Sequence, residues 1–198
     1  MTKINYLKNI SESKKPFIIY KSYKGFDLYT DFSKKIILTN NNIKNFINKT
    51  TRFKFKKKET DIFLGFFGYE ILNNLIGLKI KKQKGLKFPK GIFYKPETKV
   101  KLQNKLDYKN LKLIKPNKSF KVNINKTSYK VIFDKFKKKI KSGETYQIKI
   151  CTKYSNATEI DALDFFCRLT KTNMAPEAFM IKDKDYSIIS CSPENLIN

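Results

Sequence analysis

The sequence predicts an α+β fold: antiparallel or mixed β-sheets flanked by helices. Three observations carry that expectation. Residues 126–142 place apolar side chains at steps of three and four, the period of an amphipathic helix. "EAFMI", the polar "KDKD" and "YSIISC" then follow one another as the two arms and turn of a hairpin. From Lys126 onward the patterns run helix, strand, helix, strand, strand, which sets helices beside a hairpin rather than between parallel strands.

Taken in order, "PFIIY" and "KKIIL" read as short strands. "NNNIKNFINKT" sets Ile43, Phe46 and Ile47 at helical spacing, with asparagines before them to cap the start. "DIFLGFFGYEILNNLIGL" begins as an apolar strand punctuated by Gly65 and Gly68. It becomes a short helix ending near Gly77. "GIFYKPETKVKL" reads as two short strands around a turn at Pro96. Residues 102–123 are the most polar stretch and read as a surface excursion.

The helix from Lys126 carries Tyr129, Ile132, Phe133, Phe136 and Ile140 as one stripe, expected to pack on the sheet. Thr127 or Ser128 caps its start. Lys137, Lys138, Lys139 and Lys141 suit the negative end of its dipole, and Gly143 stops it. "ETYQIKICTKY" then alternates as a strand, with Tyr146, Ile148, Ile150 and Thr152 on one face and Gln147, Lys149, Cys151 and Lys153 on the other. A second helix follows, with Thr158 and Asp161 at capping-box spacing and a stripe of Leu163, Phe166, Cys167 and Leu169.

Composition narrows the function classes. The 198 residues are 40% hydrophobic, enough for a packed core. The net charge of +26 raises a Lys-rich nucleic-acid-binding module as one reading. Against it, only Arg52 and Arg168 are arginines, and the lysines are spread along the whole chain. The chain has no histidine, which removes the commonest general base and metal ligand. Cys151, Cys167 and Cys191 are odd in number, widely spaced and outside any metal-ligand pattern, so they read as structural thiols of a reducing compartment. No run nears the ~18 apolar residues of a membrane span. The N-terminus lacks the apolar core of a signal peptide, and a cytoplasmic location is expected.

Four segments carry a resemblance. "IKSGETYQIKICTKY" resembles the "I-x-x-G-D-x-(F/Y)-Q-x-N-L-(S/T)-x-R-(F/Y)" segment of the chorismate-utilising enzymes, among them component I of aminodeoxychorismate synthase and of anthranilate synthase. Downstream, "TKTNMAPEAFM" resembles the family's "N-P-(S/A)-P-Y" segment and "IISCSPENLI" its SPE turn. Upstream, "GFFGYEILNNL" resembles "G-(Y/L)-x-(G/S)-Y-(D/E)". Order and spacing agree from Asp61 to Asn198. The matched motif residues are Gly143, Gln147, Asn173, Ser192, Pro193 and Glu194. The chain departs from the pattern at Lys149 (family Asn), Cys151 (Ser or Thr), Met174 (Pro) and Glu177 (aromatic). Beside this stand plain structural readings: Gly143 as a helix terminator, Gln147 as a polar residue on a sheet face, Pro193 as a strand terminator and Glu194 as a solvated turn carboxylate.

The resemblance implies a fold of antiparallel sheets flanked by helices, in which chorismate and Mg²⁺ bind in a cleft. It implies that residues 1–120 form the N-terminal part of a component I fold and that residues 121–198 start its chorismate-binding domain. The family's catalytic and Mg²⁺-binding segments follow the SPE turn, so catalytic groups are expected beyond Asn198 and the chain is expected to be an inactive N-terminal part. The implied activity is amination of chorismate to 4-amino-4-deoxychorismate for folate synthesis, with ammonia from a glutamine amidotransferase subunit; the alternative is anthranilate synthesis, for tryptophan. An effector pocket in the tryptophan-binding members is built from two segments, whose counterparts here are "IYKS", with Ser22, and Pro176, Glu177 and Ala178. An ion pair of Lys21 with Glu177 is expected to close it.

Overall fold

The computed structural model describes residues 3–51, 58–78, 88–102, 106 and 119–192. Its elements are α1 (Lys3–Glu12), β1 (Phe17–Ser22), β2 (Gly25–Ile37), α2 (Ile43–Thr51), β3 (Leu64–Phe67), α3 (Tyr69–Leu75), β4 (Gly91–Lys101), β5 (Lys121–Val122), α4 (Lys126–Lys141), β6 (Tyr154–Ser155), α5 (Ala162–Thr172), β7 (Glu177–Lys182) and β8 (Ser187–Ser192). Two compact units result: residues 1–111 with 162–198, and residues 112–161. The expected α+β class holds, with every strand pair antiparallel.

The first unit is a curled six-stranded sheet, ordered β3-β4-β2-β1-β7-β8. The last four strands in that order come from both ends of the chain: β7 pairs with β1, Ile19 opposite Met180 and Lys21 opposite Ala178. Its apolar side chains form three clusters. One joins Leu7 of α1 and Leu163, Phe166 and Cys167 of α5 to Phe17, Ile19, Phe26, Leu28 and Met180 of the sheet. Another is made of strand and loop residues around Ile18, Tyr29, Ile92, Tyr94 and Ile181. The third sets Ile43 and Phe46 of α2 and Ile71 of α3 against Leu38 and Phe93.

The β1–β2 hairpin turns through Tyr23 and Lys24. Gly25 takes the left-handed φ of 107°, and the Ser22 hydroxyl accepts a hydrogen bond from the Lys24 N–H at 3.2 Å. The two glycines of "GFFGYE" are required by close approach. A Cβ on Gly65 would lie 1.9 Å from the carbonyl oxygen of Ile92, and one on Gly68 2.4 Å from that of Lys90, to which the Gly68 N–H donates at 2.7 Å.

Two strand expectations are corrected. "GIFYKPETKVK" is a single 11-residue strand, with Pro96 inside it opposite Phe32. Proline lacks a donor, and the neighbouring β2 absorbs the irregularity by a bulge between Phe32 and Lys34. That extends β2 to 13 residues, well upstream of "KKIIL".

The second unit holds α4. Its N-cap is Asn125, whose Oδ1 accepts the Ser128 N–H at 2.8 Å, rather than Thr127 or Ser128. Gly143 ends it as expected, at φ 77°. The Gly143 N–H donates to Ile140 and the Glu144 N–H to Lys139, a Schellman motif. No residue of α4 is buried: Tyr129, Phe133 and Ile140 are 41–45% exposed, so the expected packing of the stripe is not present among the described residues. The strand expected over "ETYQIKICTKY" is also absent. Only Tyr154 and Ser155 pair, with Val122 and Lys121. Alternation says which side chains share a face; it does not supply a neighbouring strand, and an unpaired strand has no ladder to hold it.

Candidate functional site

The chain brings one group of the motif residues together. β1, β7 and β8 lie side by side, with Lys21 opposite Ala178, Ala178 opposite Cys191, and Glu177 opposite Ser192. Ser22, Glu177, Ala178 and Ser192 therefore stand at one end of three adjacent strands. Pro176 and Asn173 lie on the segment from α5 into β7, where the Asn173 N–H ends the helix on the Leu169 carbonyl at 2.7 Å. Pro193 and Glu194 lie outside the described residues.

The charges at this strand end are arranged differently from the expected ion pair. The Tyr20 hydroxyl donates to Glu177 Oε1 at 2.9 Å, and the Lys21 ammonium donates to the Ala175 carbonyl at 2.7 Å. Burial, with the Glu177 carboxylate beside it, pushes the Tyr20 phenol up to about 12. Ser22 spends its hydroxyl in the hairpin turn. Burial raises the Cys191 thiol, against the pull of Lys21.

Next to Tyr20 runs a set of groups that sequence patterns did not flag. Asp27, opposite Tyr20 across the β1–β2 ladder, pairs with Lys99 at 3.3 Å; Lys99 also reaches Glu59 at 3.4 Å and lies over the Tyr29 ring. Desolvation pulls the Lys99 ammonium down, but Tyr29, Asp27 and Glu59 outweigh it and hold it above its ordinary value. Two carboxylates, two phenols and a lysine thus line neighbouring strands β7, β1, β2 and β4. The available signal was scarcity: with 17 acids against 43 basic residues, an acid inside a strand such as Asp27 invites a question about its partner.

A second polar cluster sits at the β7–β8 turn. Asp183 is 5% exposed; its Oδ2 accepts from Lys35 at 2.6 Å and from the Tyr94 hydroxyl at 2.5 Å, and its Oδ1 from the Lys184 N–H at 2.8 Å. Burial pushes this carboxyl up, but the three donors outweigh it and leave its pKa lowered.

In the other unit, Gly143 follows α4 and Gln147 is exposed in the irregular stretch after it, with its carbonyl accepting from the Thr145 hydroxyl at 3.2 Å. Among the described residues no three Cys, Asp or Glu side chains converge as a metal site requires. No helix among them is long and apolar enough to cross a membrane.

Residues 107–198 match the family described as chorismate binding enzyme. Anthranilate synthase component 1 of Buchnera aphidicola subsp. Schizaphis graminum is 29% identical over 129 residues, 63% of this chain and 23% of that protein. Anthranilate synthase component 1 of Buchnera aphidicola subsp. Pemphigus spyrothecae is 26% identical over 181 residues, 74% of this chain and 34% of that protein. The chain thus covers only between 23% and 34% of the length of these relatives.

Proposed function

We infer, from the match of residues 107–198 to the family described as chorismate binding enzyme, that the chain is part of a component I protein that aminates chorismate. The observation that carries this reading is the family match over the same residues that hold the ordered motifs from "SGETYQ" to "SPE". Chorismate is a dianion, and a chain of net charge +26 attracts one. Ammonia would come from glutamine through a separate amidotransferase subunit, in the cytoplasm. Mg²⁺, when bound, would neutralise a substrate carboxylate and assist loss of the hydroxyl. The described residues do not form a site for it, so no step through the metal is assigned to them.

Each of two products has an observation in its favour. The relatives are anthranilate synthase components, which favours release of pyruvate and formation of anthranilate. The Tyr20–Glu177 contact at the strand end favours 4-amino-4-deoxychorismate: a carboxylate replaces the aromatic residue that an indole effector would meet, as suits an enzyme outside tryptophan control. Complementation separates them. The complete gene, placed in bacterial strains lacking one or the other component I, is expected to restore growth without tryptophan or growth without p-aminobenzoate. Failure in both strains, with the protein present and soluble, would overturn the enzymatic reading.

A further inference from the structure

At the other end of β1 from Ser22, a cleft of about 570 Å³ opens between the end of α1, the approach to β1 and the middle of β2. That volume lies within the roughly 300–1,000 Å³ of small-molecule sites. Ile10, Pro16 and Phe32 give it an apolar wall; Asn9, Ser13, Lys15, Thr30 and Asp31 give it polar groups. Ser13 is used internally, its hydroxyl donating to the Ile10 carbonyl at 2.8 Å. Thr30 donates to Asp31 Oδ2 at 3.0 Å.

The two charged groups are placed unusually. Asp31 is held at a left-handed φ of 53° beside the β2 bulge, and Lys14, next to Lys15, at 55°; these are the two non-glycine residues with positive φ among the described residues. Elsewhere the acids Asp27, Asp61, Glu144 and Asp183 are each taken by a lysine. Asp31 and Lys15 line the same cleft, yet neither forms an ion pair among the described residues, and Asp31 Oδ1 and the Lys15 ammonium carry no hydrogen bond there. Asp31 and Lys15 are both exposed and line one cleft together with an apolar wall. That set of groups matches a ligand that is itself a small zwitterion with an apolar arm: its ammonium on Asp31, its carboxylate on Lys15, its arm against Ile10, Pro16 and Phe32.

We propose that this cleft binds small zwitterions of that class, a ligand site independent of chorismate chemistry. Titration of the 198-residue chain, followed by NMR shifts or calorimetry, uses three probes: phenylalanine, phenethylamine (cation only) and 3-phenylpropionate (anion only). Phenylalanine is expected to bind at least ~10-fold more tightly than either, since each charged contact contributes a factor of that order. Asp31→Asn, which keeps a residue tolerant of the left-handed conformation, and Lys15→Met are each expected to cost phenylalanine ~10-fold or more. Tyr20→Phe, at the other site, is expected to change nothing. No saturable phenylalanine binding, equal affinity for all three probes, or unchanged affinity in both cleft variants would each overturn the proposal.

Discussion

Asp183 belongs to a turn that reads as pure solvent, "KDKD", yet its carboxylate is nearly sealed from water and gathers Lys35, Tyr94 and a backbone N–H. Its pKa is lowered in the folded chain, so the charged form stabilises the fold. That contribution is present above the ordinary aspartate pKa and is lost as pH falls through the lowered folded value. Asp183→Asn is expected to cost about 1–3 kcal/mol at neutral pH, the range for a charged hydrogen-bond network losing its charge. Urea unfolding of both proteins across pH is the check: the gap should narrow below about pH 4, where the unfolded wild-type carboxyl gains its proton. A gap of constant size would assign the effect to packing instead. Gly65 makes the complementary case for volume. Gly65→Ala must push a methyl into the Ile92 carbonyl, so loss of the β3–β4 pairing and at least ~1–3 kcal/mol are expected. Gly143→Ala meets no atom within 4 Å and should cost only the left-handed strain, about 1–2 kcal/mol.

At the level of elements, the two long helices behave differently although their patterns look alike. In α5, Phe166 is 0% exposed and meets Phe26 edge-on, whereas its neighbour Phe165 is 38% exposed. Phe166→Ala is expected to cost about 3–5 kcal/mol in equilibrium unfolding, and Phe165→Ala well under half of that. In α4 the stripe is not buried, so Phe136→Ala should fall far short of a core deletion, while Asn125→Ala should still remove about 0.5–2 kcal/mol of capping. If Phe136→Ala matched Phe166→Ala, α4 would be packed in solution. The contrast marks what the sequence could say. Periodicity located α4, α5, α2 and the β7–β8 hairpin, because those signals are local. It does not report whether a partner surface exists, so it marks a stripe on α4 that is unburied and a strand after Gly143 that, before Tyr154, has no neighbour among the described residues. The bulge opposite Pro96 was invisible for the same reason, since it depends on pairing with β2. The strand end holding Lys21, Ser22, Glu177 and Ala178 was legible only through the resemblance; β1 and β7 are some 150 residues apart and nothing local joins them. Asp27, Tyr29 and Lys99 were missed because each is ordinary in its own strand.

For the whole molecule, the proposed function turns the filling of that strand end into a prediction about regulation. An indole pocket needs apolar and aromatic walls. At the position that the resemblance gives to that wall stands Glu177; its carboxylate accepts from the Tyr20 hydroxyl, while Lys21 is committed to the Ala175 carbonyl. Admitting an indole would break the Tyr20–Glu177 contact and set a ring against a half-buried carboxylate, both of which oppose its binding. On the proposed function, the complete protein, assayed by chorismate consumption with ammonium and Mg²⁺ supplied, is therefore expected to be insensitive to tryptophan. Glu177→Gln keeps the shape and removes the charge; it should leave the basal rate unchanged, because Glu177 is placed in no catalytic step. Inhibition of the unaltered enzyme at micromolar tryptophan would show that the strand end opens for an indole despite the contact. The product assignment would then move to anthranilate, since feedback by tryptophan belongs with its synthesis.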